Sequence, residues 1–161
     1  MILWDASGLV KRYYAEPGSD TVNAIFAAAV PQGMNVTPWG YAETYGILLR
    51  RYNGGVLRQI TFNNAIGSLQ AEVIDRSGFN LLSISDALVF GSLSLMAAHN
   101  INSADAAILA TYLRFQRSVS EPCLLVASDK RLLRAAMAEG LNGLNPEEVG
   151  PDGVSGALPR V

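Results

Sequence analysis

The sequence predicts an α/β fold in which helices cover both faces of a parallel sheet. Short apolar runs typical of strands alternate with longer segments of helical periodicity, and this alternation favours parallel strands joined by helices. The 161 residues suffice for one domain with a single core. An acid at position 5 directly follows the first apolar run. It therefore lies where a strand ends, which is the edge of such sheets that binds ligands.

Eleven segments carry a strand or helix pattern. Strands are predicted at residues 2–4, 34–37, 81–84 and 123–127. Helices are predicted at residues 7–15, 19–29, 39–52, 56–77, 86–99, 104–115 and 130–139. From Asn145 onward the chain has turn residues and no periodicity. We therefore predict a folded domain over residues 1–146 and a flexible tail over residues 147–161.

Composition narrows the classes of function. A net charge of -2 argues against a general polyanion binder. Four of the 14 acids fall at candidate site positions, so the rest of the chain has a small excess of positive charge. Cys123 lies in an apolar run, which predicts a small buried side chain in a reducing compartment. The first strand begins at Ile2 without an export signal before it, and no apolar run is long enough for a bilayer, so we expect a cytoplasmic protein.

The motifs that define several enzyme classes are absent from this sequence. Neither G-x-G-x-x-G nor G-x-x-x-x-G-K-[ST] occurs, which disfavours nucleotide-binding folds. Serine and zinc hydrolases are disfavoured because G-x-S-x-G and H-E-x-x-H are absent. The sequence has one histidine, His99, so it lacks the paired groups for metal-free RNA cleavage through the 2′-hydroxyl. His99 is better explained as a cation near a helix C-terminus.

Glu43 is the most informative acid. A surface glutamate on a helix usually has a basic residue three or four positions away, but Glu43 has Trp39, Gly40, Gly46 and Ile47 there. The carboxylate therefore lies along an apolar stripe of its helix. Because a buried carboxylate without a partner is costly, this position favours a cation as its partner.

Asp105 shows the same pattern. It starts an apolar stripe that continues with Ile108, Leu109 and Tyr112 at helical spacing. Ser103 is available to cap this helix, so Asp105 is not needed as the cap. A functional role for Asp105 is therefore favoured as well.

Two further acids, Asp5 and Asp129, follow predicted strands, and each has two explanations. An aspartate at a helix N-terminus can cap the helix, and it can equally belong to a site at the sheet edge. Both explanations remain open for Asp5 and Asp129. Asp86 also has an apolar stripe, but it follows Ser85 in the first turn of its helix, and we interpret it as a capping acid.

Four converging carboxylates would form a site for a hard divalent cation. Such acids cannot all be ionised at close range without one, because each charge raises the pKa of its neighbours. The predicted metal ligands and catalytic residues are Asp5, Glu43, Asp105 and Asp129, with Mg²⁺ or Mn²⁺ as the cofactor. A receiver-type phosphoacceptor domain is a weaker alternative, because Ser83-Ile84-Ser85 does not supply the required aspartate.

At these residues the chain resembles the PIN-domain ribonucleases, especially the VapC-type toxins of toxin-antitoxin pairs. The resemblance spans residues 1–146 and rests on four motifs in order. They are Asp5-Ala-Ser7-Gly-Leu-Val-Lys-Arg-Tyr, the helix with Glu43 followed by Leu-Leu-Arg-Arg, Asp105-Ala-Ala-Ile-Leu-Ala-Thr, and Ser128-Asp129-Lys-Arg-Leu-Leu.

The resemblance implies a PIN-like three-layer sandwich whose four acids hold Mg²⁺ or Mn²⁺ and cut RNA to leave 5′-phosphate and 3′-hydroxyl ends. It also implies a homodimer and inhibition by a cognate antitoxin whose tail lies over the active-site groove. A PIN-like module that binds RNA or protein without cleaving remains the alternative. The chain has Ala6 and Ala127 where hydroxyl residues are frequent in the family, so Ser7 and Ser128 are the candidates to support the acids.

Basic and aromatic residues near the acids are candidates for contact with RNA. The predicted phosphate-binding residues are Lys11, Arg12, Arg50, Lys130 and Arg131. Solvated helix charges are the alternative explanation for about half of them. The aromatic candidates for base stacking are Tyr13, Tyr14, Trp39 and Tyr41, although aromatic residues on helices are more often part of a core.

Overall fold

A parallel sheet forms the centre of the structure, a computed structural model that describes residues 1–76 and 78–157. Its strands are β1 (Ile2–Trp4), β2 (Met34–Val36), β3 (Phe79–Leu81), β4 (Leu124–Val126) and β5 (Asn142–Leu144). They pair in the order β3-β2-β1-β4-β5, and all neighbouring pairs are parallel. Because the strands run in one direction, their carboxyl ends share one edge of the sheet.

Helices connect the strands and lie on both faces of the sheet. The α-helices of the described chain are α1 (Ala6–Leu9), α2 (Ser19–Ala28), α3 (Pro38–Asn53), α4 (Gln59–Gln70), α5 (Asp86–Gly91), α6 (Leu93–His99), α7 (Ser103–Ser118), α8 (Lys130–Ala138) and α9 (Val154–Ala157). Short 3-10 turns cover Val10–Arg12, Pro31–Gly33 and Pro151–Gly153, and a π-helical turn covers Ala71–Asp75.

The core consists of two clusters separated by the sheet. Side chains of a strand alternate between its faces, so Trp4 and Leu3 of β1 belong to different clusters. Trp4 packs in the cluster that includes Val22 of α2. Leu3 packs in the cluster that includes Leu109 of α7 and Leu132 of α8. The predicted parallel sheet with helices on both faces is confirmed.

Two strands differ from the sequence prediction. Strand β3 is found at Phe79–Leu81 rather than at residues 81–84, and as an edge strand it lacks the fully buried pattern of the central strands. Strand β5 was not predicted, because its Asn-Gly-Leu sequence has the composition of a turn. Gly143 lets β5 approach α8, since a Cβ there would lie 2.8 Å from Leu133 Cδ2.

Three predicted helices are interrupted. The helix predicted at residues 7–15 ends at Leu9 and continues as a 3-10 turn. The helix predicted at residues 56–77 begins at Gln59 and ends in the π-helical turn. Ser77 lies outside the described residues. The helix predicted at 86–99 is broken at Ser92, whose hydroxyl donates to the Val89 carbonyl (2.8 Å). A side-chain hydroxyl bonded to a nearby carbonyl commonly bends a helix in this way.

The segment after β5 packs on the domain, so the prediction of a loose tail is wrong for residues 147–157. The Thr21 hydroxyl of α2 donates to the carbonyl of Val149 (2.5 Å), and Val154 is only 2% exposed. The packing comes from two separate apolar residues, Val149 and Val154. Because they do not form a periodic stripe, the sequence pattern does not predict this contact. Residues 158–161 lie outside the described residues.

Two expectations from composition concern burial and membranes. Cys123 is buried directly before β4, as its apolar surroundings predict. Among the described residues, no helix is both long enough and apolar enough to cross a bilayer.

Candidate functional site

The carboxyl edge of the sheet carries the predicted acids. Asp5 directly follows β1, and its N–H donates to the last carbonyl of β4 (3.1 Å). Asp129 ends the short loop after β4 and precedes α8. Helix α3 begins after β2 and carries Glu43, and Asp105 lies in the first turn of α7, which contacts α3. Four different segments therefore bring the acids to this edge.

Asp5 is enclosed and tied to the neighbouring strand by Ser7. It is 5% exposed, and its Oδ2 accepts hydrogen bonds from the N–H (2.9 Å) and the hydroxyl of Ser7. The same hydroxyl oxygen accepts from the N–H groups of Ser128 (2.9 Å) and Asp129 (3.2 Å). Burial raises the pKa of Asp5, the Ser7 hydrogen bonds lower it, and Asp129 raises it. Ser7 thus joins the ends of β1 and β4, and Ser128 contributes its backbone.

Asp5 and Asp129 both cap helices. The Asp5 side chain accepts from the Ser7 N–H at the start of α1. Asp129 Oδ1 accepts from the N–H groups of Arg131 (2.8 Å) and Leu132 (3.0 Å) at the start of α8. The capping explanation is confirmed for both residues. It does not exclude a site role, because Oδ2 of Asp129 accepts no hydrogen bond from the described residues.

Glu43 is half-buried on the face of α3 that borders this edge. The pKa of Glu43 is raised to about 7, first by burial and then by the charges of Asp5 and Asp105, while Arg50 opposes the shift. No hydrogen bond from the described residues reaches the Glu43 carboxylate. The carboxylate therefore faces other acids with little compensation, as the apolar spacing in the sequence indicates.

Asp105 is held by the residue that caps α7. The pKa of Asp105 is raised to about 6, first by burial and then by the charges of Asp5 and Asp129, while Arg131 opposes the shift. The cap is Asn102 rather than Ser103, which corrects the sequence prediction. Asn102 Oδ1 accepts from the Asp105 N–H (2.9 Å), and Asn102 Nδ2 donates to Asp105 Oδ2 (2.8 Å). The amide thus sets the orientation of the carboxylate.

Electrostatic interactions connect all four acids. Asp129 raises the pKa of Asp5 and Asp105, and Asp5 and Asp105 raise the pKa of Glu43, so the four acids belong to one electrostatic group at this edge. Asp86 does not take part: it is exposed in the first turn of α5, which Ser85 caps. Ser85 rather than Asp86 therefore caps α5, which corrects the interpretation of Asp86 as a capping acid, and Asp86 is an acid in the first turn of this helix.

The donor set fits a hard divalent cation in its chemistry. Carboxylate oxygens are the ligands that Mg²⁺ and Mn²⁺ prefer, and mutually repelling acids gain most from a cation between them. As placed, no three acidic, histidine or cysteine side chains of the described residues are arranged to hold one ion. The residues that would hold the metal are the four acids, whose role as ligands remains a prediction.

Two of the predicted RNA-binding residues are engaged inside the protein. Lys11 is 3% exposed and pairs with Glu16 (3.0 Å) and Glu147 (2.7 Å). Arg12 forms a two-pronged ion pair with Glu72 (2.8 and 3.2 Å). These contacts correct the prediction for Lys11 and Arg12, because their charges are already compensated by carboxylates.

The other three basic residues are exposed and lie around the acids. Arg50 is close enough to Glu43 to lower its pKa, and Arg131 does the same for Asp105. Lys130 forms an ion pair with the exposed Glu148, in the segment after β5 (2.8 Å). Arg50 and Arg131 therefore place positive charge beside the acids, and contact of these residues and Lys130 with RNA phosphates stays a prediction.

The aromatic candidates separate by burial. Tyr13 is largely buried, and burial raises its pKa. Tyr14 lies under the guanidinium of Arg51 (4.2 Å from the ring centre). Tyr41 is partly buried, whereas Trp39 is exposed. Core packing or ion pairing thus explains Tyr13 and Tyr14 but not Trp39.

Sequence reasoning missed two residues of this region. Asn102 orients Asp105, and an amide three positions before an acid at a helix start is a recognisable signal for it. Tyr112 is completely buried, this burial together with Asp5 and Glu43 raises its pKa, and its hydroxyl donates to the Trp4 carbonyl (2.5 Å). In the sequence, Tyr112 is indistinguishable from an ordinary core residue, because its hydrogen bond to the end of β1 depends on the tertiary structure.

The strand order β3-β2-β1-β4-β5, with helices on both faces of the sheet, defines a three-layer α/β domain. The solved structure of FitAcB from Neisseria gonorrhoeae shares this fold with a TM-score of 0.62 and 18% sequence identity, and the match covers 92% of this chain and 100% of that chain. Neither the protein-family models nor the sequences of curated proteins match this chain. The predicted PIN-like three-layer sandwich is confirmed at the level of the fold.

Proposed function

We propose that the chain is a Mg²⁺- or Mn²⁺-dependent ribonuclease that acts as a VapC-type toxin. The observation that carries the proposal is the electrostatic connection of Asp5, Glu43, Asp105 and Asp129 at one edge of a PIN-like sheet. Acids held in mutual repulsion destabilise the folded chain, so their arrangement is best explained by a cationic ligand.

Each residue has a definite task in this proposal. A bound metal would polarise the phosphodiester and lower the pKa of the attacking water. Ser7 fixes the Asp5 carboxylate against both strand ends, and Asn102 fixes that of Asp105. Arg50 and Arg131 provide positive charge beside the acids, where RNA phosphates would approach.

The test is cleavage of a short single-stranded RNA by the purified chain with Mn²⁺, with Mg²⁺ and with EDTA. We expect cleavage only with metal, and loss of cleavage in Asp5→Asn and Asp105→Asn. Glu121→Gln is the matched control, because Glu121 is an exposed acid that precedes β4 and therefore lies at the opposite, amino edge of the sheet. Thermal unfolding separates loss of chemistry from loss of fold.

Two outcomes would contradict the proposal. Equal activity with and without EDTA would exclude a metal-dependent nuclease. Metal-independent RNA binding without cleavage would favour the non-catalytic binding module. That alternative is supported by the finding that no three ligands in the described residues are arranged for one ion.

The toxin role adds partners to the nuclease. It calls for a cognate antitoxin that masks the acids, a homodimer and action in the cytoplasm. Co-expression with the product of the adjacent gene should yield a stable complex on size exclusion with suppressed ribonuclease activity. Two proteins that elute separately, with activity unchanged, would leave a free-standing nuclease.

A further inference from the structure

Trp39 is held at the edge of the sheet by the start of α3. The Thr37 hydroxyl after β2 accepts from the N–H of Gly40 (2.9 Å) and caps the helix. A Cβ on Gly40 would lie 3.2 Å from Val36 Cγ2 and 3.7 Å from the Trp4 carbonyl oxygen. The first turn of α3 therefore rests directly on the ends of β1 and β2, which places Trp39 at the same edge as the acids.

The Trp39 ring has no packing role that explains it. Trp39 is 55% exposed, whereas Trp4 is completely buried. The ring pairs and cation–π contacts of the described chain involve other aromatic residues. A large aromatic surface is thus open to solvent immediately beside the site.

One face of α3 presents an aromatic ring, a carboxylate and a guanidinium in order. Trp39, Glu43 and Arg50 fall within about 60° of one another around the helix and are separated by about 6 and 10 Å along its axis. Arg50 folds back along this face, because a Cβ on Gly46 would lie 3.4 Å from Arg50 Nη1. The Arg50 guanidinium therefore lies over Gly46, between the positions of Glu43 and Arg50 along the helix.

We propose that Trp39 stacks on a nucleobase of single-stranded RNA next to the phosphodiester that faces Glu43. This inference rests on the proposed function and adds a base-binding site to it. Unpaired bases stack on aromatic side chains whatever their sequence, and Arg50 is placed to hold a phosphate further along the same strand. The arrangement selects single-stranded RNA, because paired bases do not offer a free face.

The test measures RNA binding by fluorescence anisotropy with a short end-labelled single-stranded RNA in Mn²⁺. Asp105→Asn serves as the background, so that the RNA remains uncut. We expect Trp39→Ala to weaken binding about 5- to 100-fold, and Trp39→Phe to retain most of the affinity. Tyr45→Ala is the control, since Tyr45 is an aromatic residue on another face of α3, packed against Phe62. A duplex of the same sequence should bind Trp39→Ala and its parent alike.

The outcomes separate this inference from the function on which it rests. Unchanged single-stranded RNA affinity in Trp39→Ala, with a parent chain that cleaves RNA, would overturn the stacking role alone. A parent chain that neither binds nor cleaves RNA would overturn the proposed function as well. Because Trp39 is exposed, its variants should unfold at the temperature of the parent, which excludes a general loss of fold as the cause.

Discussion

At the scale of single residues, the candidate site depends on neutral groups that orient the acids. Asn102 uses its amide oxygen to cap α7 and its amide nitrogen to hold Asp105. Ser7 similarly serves Asp5 and the loop after β4 with one hydroxyl. Such partners of metal ligands commonly change metal affinity by one or two orders of magnitude.

Asn102→Ser should separate capping from orientation. Serine retains a good N-cap but removes the amide donor to Asp105, so metal-free stability should remain nearly unchanged. The stabilisation produced by Mn²⁺ in thermal unfolding should fall, because Asp105 is no longer held. Asn102→Ala, which loses both functions, should also lower metal-free stability by about 1 kcal/mol. Full Mn²⁺ stabilisation in Asn102→Ser would limit Asn102 to a capping role.

At the scale of elements, close contact between α1 and β4 determines where the first acid lies. A Cβ on Gly8 would come within 2.6 Å of the Val126 carbonyl oxygen. Since backbone atoms cannot yield as a flexible side chain does, α1 can take this position only with glycine there. The contact holds Asp5 and Ser7 against the end of β4.

Gly8→Ala should therefore destabilise the chain by about 1–3 kcal/mol in urea unfolding, because α1 must move away from β4. Gly67→Ala is the control: a Cβ there meets nothing within 4 Å on helix α4. That change should stabilise by about 0.5–1 kcal/mol. Equal effects of the two substitutions would mean that the close contact at Gly8 does not affect the free energy of unfolding.

The segment after β5 allows a second test at this scale. Val154 is buried against the domain, so Val154→Ala should lower the free energy of unfolding by about 1–3 kcal/mol. Val30→Ala removes the same atoms from a side chain that is 59% exposed, and should be nearly neutral. A neutral Val154→Ala would restore the sequence prediction of a loose tail.

At the scale of the whole molecule, the acidic edge should make stability depend on pH. In the folded chain the pKa of Glu43 is raised to about 7 and that of Asp105 to about 6. Because the folded state binds these protons more tightly than the unfolded state, the metal-free protein should gain stability as pH falls from about 8 to 5. Urea unfolding in EDTA across this range measures the effect.

Two controls define the origin of that pH dependence. Glu43→Gln together with Asp105→Asn should flatten the profile, because the titrating groups are gone. Mn²⁺ should also flatten it, since a bound cation keeps the carboxylates ionised in the folded chain. A steep profile that persists in the double variant would assign the effect to other groups.

The sequence by itself determined the fold class, its central strands and the candidate acids at the carboxyl edge of the sheet. Alternating strand and helix periodicities are local properties, and they predicted β1, β2, β4 and the helices between them. Glu43 and Asp105 could be found because each lies on an apolar helix stripe that an ordinary surface acid would not share.

Only the tertiary structure decided which charges are free to act. Lys11 and Arg12 resemble RNA-binding residues in the sequence, but their carboxylate partners come from distant segments, such as Glu147 for Lys11 and Glu72 for Arg12. The same holds for β5 and the buried Val154, whose neighbours are far away along the chain. Local patterns record what a residue prefers, whereas ion pairing and burial depend on what the fold places beside it.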